Sequence, residues 1–109
     1  MQSPWNVLEN LPEPAAQEQF LTLLQARGVH LERIVSHGHV SPPGFWYDQP
    51  QTEWVLLVQG TATLTVGDIT HELKTGDSLR IPAHARHRVD RTDTNPPTIW
   101  IALHVTDAA

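Results

Sequence analysis

The chain has 109 residues, a formal net charge of −5 with histidine neutral, seven histidines and no cysteine. This length predicts one domain that can bury a core, and the lack of cysteine excludes disulfides and thiolate metal sites. The largest basic cluster is Arg86-His87-Arg88, so a nucleic-acid-binding face is not expected. The N-terminus lacks a secretory pattern and the longest apolar run, Trp54 to Val58, is too short to span a bilayer. We therefore expect a cytoplasmic protein that binds neither nucleic acid nor membrane.

The first 28 residues predict a surface segment followed by a helix. Pro14 suits the first turn of a helix, and Gly28 suits the position just past its end. Between them the apolar residues cluster as if on one helical face, namely Phe20, Leu21, Leu23 and Leu24. We predict a helix over residues 14–27 that packs against the rest of the fold.

From Val29 onward apolar and polar residues alternate in short runs separated by turn residues, as in β-strands. The Gly67-Asp68 pair predicts a tight hairpin between two of these runs. The predicted strands and extended segments cover residues 29–36, 45–47, 53–58, 61–66, 69–73, 78–81, 87–92 and 98–105. About eight short strands in succession are typical of a sandwich or barrel and not of βαβ units. The predicted organisation is an N-terminal segment over residues 1–28 and an all-β barrel over residues 29–105.

The residues Glu53 and Gly60, and further along Gly76, Pro82 and His87, stand at spacings that resemble the two motifs of the cupin superfamily. The first motif ends with Glu, six residues and Gly, which Glu53 and Gly60 match. The second begins with Gly, five residues and Pro, and continues to a His, which Gly76, Pro82 and His87 match at the same spacing. The resemblance covers most of the chain and implies a cupin jelly-roll barrel, the double-stranded β-helix.

The chain also departs from these motifs. The first motif has a His-x-His pair three or four residues before its Glu, where this chain has Tyr47 and Gln49, or Trp46 and Asp48. The Gly and the final Asn of the second motif are replaced by His84 and Arg91. The resemblance implies a divalent-metal site in the barrel, but two of the usual four ligand positions have no histidine.

Glu53 and His87 carry over directly as predicted metal ligands. A carboxylate facing the barrel interior needs a partner or a metal, and the alternative for Glu53 is a structural salt bridge or an exposed strand end. His87 is flanked by two arginines, which favour the neutral imidazole that a metal requires. Its alternative is a hydrogen-bonded surface histidine.

The remaining ligand positions stay open between several residues. Asp48 offers a hard oxygen ligand, or is an ordinary turn residue. His84 lies three residues before His87, which lets both contact one ion, and Gln49 is a weaker candidate. His104 shares a strand face with Trp100 and Ala102, and it completes the metal set or contacts the substrate.

Two aromatic residues, Tyr47 and Trp46, are predicted to contact a substrate, although an aromatic in a barrel is more often part of the core. The resemblance implies a cofactor such as iron, zinc, nickel or manganese, and two functions follow from it. The first is a metal-dependent enzyme, an oxygenase or isomerase, acting on a small polar molecule. The second is a non-catalytic sensory or regulatory module that binds a small ligand or metal. The family resemblance and the apolar N-terminal segment further suggest a homodimer.

Overall fold

The computed structural model describes residues 3–106 and folds them into two antiparallel β-sheets. Its strands are β1 (Gln19–Ala26), β2 (Val29–Ser36), β3 (Thr52–Gln59), β4 (Ala62–Val66), β5 (Ile69–Leu73), β6 (Ser78–Ile81), β7 (His87–Thr92) and β8 (Thr98–Val105). One sheet has the order β1-β2-β8-β3-β6, and the other has the order β5-β4-β7. The all-β barrel predicted from the sequence is confirmed. Nowhere in residues 3–106 is there a helix long and apolar enough to cross a membrane.

The predicted helix over residues 14–27 is wrong, because the chain there forms strand β1. This strand pairs antiparallel with β2 and lies at the edge of the five-stranded sheet. Gly28 has φ 71°, and it belongs to the tight turn between the two strands instead of ending a helix. Both a helix end and a hairpin turn favour glycine in this left-handed conformation, so the residue alone does not distinguish them.

An irregularity in β1 explains why its side chains mimic a helix. The pairing register with β2 shifts between Thr22 and Leu24, which leaves Leu23 as an extra residue in the ladder. A bulge of this kind interrupts the period-two alternation of a strand and places two apolar residues in succession. The apolar residues of β1 therefore do not follow the period-two alternation of a regular strand, although β1 pairs with β2 along its length.

The other strands lie close to their predicted positions. Gly67 has φ 61° in the hairpin between β4 and β5, as the Gly-Asp pair predicts. The segment predicted as extended over residues 45–47 contributes a single bridge, between Tyr47 and His87, and no full strand. That bridge brings the loop before β3 against the start of β7.

The hydrophobic core lies between the two sheets. The buried residues that form it include Leu57 and Trp100 from the larger sheet and Leu64 from the smaller one. On the inner face of the larger sheet Leu57 pairs with Trp100, and four residues along the same strand Glu53 pairs with His104. The alternation that sends the apolar residues into the core thus sends these two polar residues to the same side, toward one end of the barrel.

The segment before β1 covers part of the outer face of the larger sheet. Arg33 of β2 points outward but is only 4% exposed. Its guanidinium donates to the backbone carbonyls of Val7 and Glu9 and lies 5.1 Å from the ring centre of Trp5. These contacts anchor the N-terminal segment to the barrel.

Candidate functional site

A cavity of about 80 Å³ lies inside the barrel, at the polar end of the core. Its apolar floor includes Val55, Leu64, Ile81 and Trp100. The titratable and amide side chains on its walls are Glu18, Glu32, Tyr47, Gln49, Glu53, His87 and His104. A water needs roughly 10–15 Å³ of such space, so the cavity has room for several waters or a small molecule.

Glu53 and His87 contact each other on the cavity wall. Both are buried, and His87 Nε2 lies 3.3 Å from Glu53 Oε1. β3 positions Glu53 at its second residue, and β7 positions His87 at its first. Burying an unpaired carboxylate is costly, so this contact with the imidazole is what makes Glu53 tolerable in the apolar end of the barrel.

The other nitrogen of His87 fixes the orientation of the ring. Nδ1 donates to the backbone carbonyl of Ala85 at 2.9 Å, so Nε2 is left to face Glu53. The ring also stacks on Tyr47, with 5.3 Å between the ring centres. Burial disfavours the charged imidazole, but Glu53 and the Ala85 carbonyl outweigh burial and raise the pKa of His87, which is opposite to the effect expected from the two flanking arginines. Those arginines instead contact the ring of Trp46 and the carbonyl of Ser41.

A second imidazole–carboxylate pair lies beside the first. His104 Nε2 donates to Glu32 Oε2 at 2.9 Å and lies 3.8 Å from Glu53 Oε2. The hydrogen bond to Glu32 raises the pKa of His104 against the effect of burial, and the charge of Glu53 adds to the rise. The two pairs therefore form one chain of alternating imidazole and carboxylate groups along the cavity wall.

Glu18 is a third carboxylate on the cavity wall. Its Oε2 accepts a hydrogen bond from the hydroxyl of Ser36, and that hydroxyl oxygen accepts one from Trp100 Nε1 at 3.2 Å. Burial raises the pKa of Glu18, although the Ser36 hydroxyl acts in the opposite direction. Glu18 is thus poised nearer to the protonated form than an exposed glutamate.

The structure brings some of the predicted site residues together and not others. Gln49, Tyr47 and His104 line the cavity with Glu53 and His87. Asp48, His84 and Trp46 are not among the residues that line it.

Asp48 and His84 instead contact each other at the surface. His84 Nδ1 lies 2.8 Å from Asp48 Oδ1, and the two side chains are 68% and 52% exposed respectively. Successive residues of an extended segment point to opposite sides, so Gln49 and Tyr47 face inward while Asp48 faces out. Trp46 lies under two arginines, with the guanidinium of Arg86 5.0 Å from its ring centre.

Sequence reasoning missed Glu18 and Glu32. Glu18 fell within the predicted helix, where an acidic residue looks like part of a solvated face. Glu32 lies on a strand of alternating residues, and its side chain is on the same face as Ile34. The face of β2 that carries Glu32 also holds His30 and Ser36, with Ile34 as its one apolar residue, so the alternation of this strand does not indicate a buried carboxylate.

The donors on the cavity wall suit a divalent metal by their chemistry. Two imidazole nitrogens with carboxylate oxygens are the ligands that iron, zinc, nickel and manganese accept. His87 also has the backbone hydrogen bond at Nδ1 that commonly orients a metal-binding histidine. As the side chains stand, each imidazole faces a carboxylate, and residues 3–106 contain no group of three such side chains arranged to hold a metal ion. Binding a metal would require these pairs to open.

Comparison with known proteins identifies the fold of the barrel. A family model described as a cupin domain matches residues 32–104. A comparison with curated proteins gives no match. Among solved structures, a Ralstonia eutropha JMP134 protein provisionally named a mannose-6-phosphate isomerase is 42% identical, with a TM-score of 0.91. The match covers 97% of this chain and all of that one.

More distant structures share the same fold. A cupin superfamily protein from Desulfitobacterium hafniense DCB-2 is 18% identical with a TM-score of 0.81, and the match covers 98% of this chain and 94% of that chain. An RmlC-like cupin from Shewanella frigidimarina NCIMB 400 is also 18% identical, with a TM-score of 0.72, over 88% and 82% of the two chains.

Proposed function

This chain belongs to the cupin family, and from that premise we propose that it binds a small polar molecule in the barrel beside a divalent metal and isomerises it. The observation that carries the proposal is the pair of buried imidazole–carboxylate contacts on one cavity wall. Burying four titratable groups in an apolar cavity is costly. Groups whose pKa values are shifted by burial and by charged partners cluster at functional sites.

Glu53, His87 and His104 are the proposed metal ligands. Two histidines and one carboxylate are a donor set used by mononuclear metal sites that keep open positions for substrate. A bound metal would act as a Lewis acid that polarises a substrate oxygen. His104 Nε2 now donates to Glu32 and is also the nitrogen that lies 3.8 Å from Glu53, so Glu32 would have to release this nitrogen for His104 to bind the metal beside Glu53.

Proton transfer requires an acid and a base within hydrogen-bonding reach of the substrate. Glu18 lines the cavity, and burial raises its pKa above that of an exposed glutamate, which suits a group that both accepts and returns a proton. Tyr47 also lines the cavity, and burial raises its pKa, so its hydroxyl stays protonated and can donate to a substrate oxygen. These residues offer the proton-handling groups that an isomerase needs.

The isomerase class is supported by the Ralstonia eutropha protein, whose provisional name is that of an isomerase and whose sequence is 42% identical. The ligand set of two histidines and one carboxylate also occurs in non-haem iron oxygenases, so iron as the native metal would favour an oxygenase instead.

A non-catalytic binding module is the second candidate. It is favoured by one observation, that the positions of the His-x-His pair of the first cupin motif hold Tyr47 and Gln49, or Trp46 and Asp48, so two of the usual ligand positions lack histidine. In that case the imidazole–carboxylate pairs would serve to recognise a ligand, and the chain would act through a partner protein.

Metal titration tests the proposed site. Protein treated with a chelator is titrated with Mn²⁺, Ni²⁺, Zn²⁺ or Fe²⁺ by calorimetry, alongside the double variant E53Q/H87A. The matched control is D48N/H84A, which removes the exposed imidazole–carboxylate pair outside the cavity. We expect binding in the wild type and in the control and its loss in E53Q/H87A. Equal binding by all three proteins would place the metal elsewhere.

Hydrogen exchange separates the enzyme from the binding module. The metal-loaded protein is incubated in D₂O with small aldoses and ketoses, and proton NMR follows the hydrogen next to the carbonyl. An isomerase exchanges this hydrogen with solvent, and E18Q slows the exchange while leaving metal affinity unchanged. A protein that binds these compounds without any exchange would be the non-catalytic module.

We also propose that two copies of the chain associate through β1. This edge strand has eight residues without charge or proline, and it exposes Phe20, Leu21 and Leu24. Exposed edges of this kind are templates for pairing, which natural proteins block with charges. Since the strand has no charge, a copy related by a two-fold axis meets no repulsion, and Phe20 would bring the contact to the cavity.

Sedimentation velocity at micromolar concentration tests this association. The wild type is expected to sediment as a dimer, and L24K, which adds one charge per copy to the edge, as a monomer. A wild-type protein with only the monomer mass would contradict the proposal.

A further inference from the structure

A second, open pocket of about 400 Å³ adjoins the cavity in the barrel. We call the two the inner cavity and the outer pocket. Glu32, Gln49 and His104 line both, so they stand at the junction between them. The outer pocket adds two further amides, Gln25 and Gln51, and the imidazole of His30. A small molecule that reaches the proposed metal ligands from this side must pass a wall of amide and imidazole groups.

Gln49 carries an unsatisfied polar atom at the junction. Its Oε1 is buried and has no hydrogen-bond partner among the residues that the structure describes. Nearly all buried polar atoms in proteins are hydrogen-bonded, so an orphan atom at the meeting of two pockets indicates a partner that comes from a ligand. A hydroxyl group fits best, because it donates and accepts and so satisfies a side-chain amide in either orientation.

The charge of the two pockets restricts the ligand further. Three carboxylates line them, those of Glu18, Glu32 and Glu53. No lysine or arginine is among the described residues that line either pocket. Proteins bind phosphate groups with arginine, lysine or helix N-termini, and these linings offer none of the three. Apart from the proposed metal ligands, a phosphate ester would meet the carboxylates of Glu18 and Glu32, side-chain amides and the imidazole of His30.

We propose that the inner cavity and the outer pocket form one site for an uncharged molecule with several hydroxyl groups, such as a sugar or polyol without phosphate. One hydroxyl donates to Gln49 Oε1, and the neighbouring amides of Gln25 and Gln51 bind further hydroxyls through their paired donor and acceptor groups. This inference rests on the proposed function, since it names the substrate class of that site. The proposed substrate carries no phosphate, and in this it differs from mannose 6-phosphate, the compound in the provisional name of the Ralstonia eutropha protein.

Ligand-observed saturation-transfer NMR with the full-length, metal-loaded protein tests this inference. The probes are a matched pair, mannose and mannose 6-phosphate, together with mannitol and inorganic phosphate. We expect at least one of the two uncharged compounds to bind, and the phosphate ester to bind about tenfold more weakly or not at all. Loss of one neutral hydrogen bond in Q49A should weaken binding of the uncharged ligand by about tenfold.

Gln19 provides the control. Its Oε1 is also buried without a partner, but Gln19 does not line either pocket. Q19A should therefore leave ligand affinity unchanged, and circular dichroism checks that both variants are folded. Binding of mannose 6-phosphate as tight as that of mannose would overturn the inference, as would equal affinities in Q49A and the wild type. Failure of both uncharged probes to bind a protein that takes up metal would overturn the substrate class alone, whereas failure to take up metal would count against the proposed function.

Discussion

The contact between Glu53 and His87 makes a prediction about stability that does not depend on any substrate. In the metal-free protein, E53Q removes the carboxylate that faces the imidazole at 3.3 Å. The pKa of His87 is raised in the folded state above its ordinary value. Stabilisation by the pair is therefore fully present below about pH 6.5, the ordinary pKa of histidine, and is lost as the pH rises through the raised value.

The magnitude follows from the burial of the pair, whose side chains are 7% and 9% exposed. Removing one partner of a buried ion pair costs about 3–5 kcal/mol, because the other charge is left unpaired. His87 avoids part of that cost by losing its proton. We therefore expect E53Q to lower the free energy of unfolding by about 2–3 kcal/mol near about pH 5.5 and by less than about 1 kcal/mol near about pH 8.5.

Urea denaturation followed by circular dichroism, with a chelator present, measures both values. The control is D48N, which disrupts the exposed pair with His84 and should cost less than about 1 kcal/mol. This prediction would be refuted if D48N were as destabilising as E53Q, or if E53Q cost the same at both pH values. Either result would mean that Glu53 and His87 do not form a buried ion pair.

Three further changes test other parts of the fold. L57A removes a fully buried core side chain and should lower the free energy of unfolding by about 2–5 kcal/mol in urea denaturation, and a smaller loss would mean that the core is loosely packed. D93A removes a carboxylate that accepts hydrogen bonds from Thr61 and Arg91. These bonds, above all the one from the Thr61 backbone, lower the pKa of Asp93. The stability difference between D93A and the wild type should therefore be present above about pH 4 and vanish as the pH falls below it. Melting temperatures of both proteins measured across the acid range check this. R88A removes the guanidinium that donates to the backbone carbonyls of Ser41, Pro42 and Phe45, so limited proteolysis should cleave this loop faster, and an unchanged rate would show that the loop is held by other contacts.

Most of the fold follows from the sequence because period-two alternation and turn residues are local signals. The strands β2 to β8 lie within two residues of their predicted bounds. β1 could not be predicted, because the bulge near Leu23 removes its alternation and its strand conformation depends on pairing with β2. Pairing is a long-range property, and a local pattern of apolar residues does not specify it.

The residues of the candidate site likewise include some that local spacing predicts and some that depend on long-range packing. Glu53 and His87 were predicted as ligands because the spacing of Glu53 to Gly60, and of His87 to Gly76 and Pro82, resembles the cupin motifs. Glu18 contacts Ser36, and Glu32 contacts His104, only because β2 packs beside β8 and the chain before β1, and no spacing in the sequence encodes that packing. Asp48 and His84 were predicted from spacing, but the structure pairs them with each other at the surface.

The metal content of the protein tests the central claim most directly. Protein purified without an affinity tag or added metal is measured by inductively coupled plasma mass spectrometry, before and after dialysis against the candidate metals. We predict about one transition metal per wild-type chain, held by a site with two imidazoles and a carboxylate. Protein that contains no metal and takes none up on dialysis would contradict the account, and would leave Glu53 and His87 as groups that hydrogen-bond a ligand.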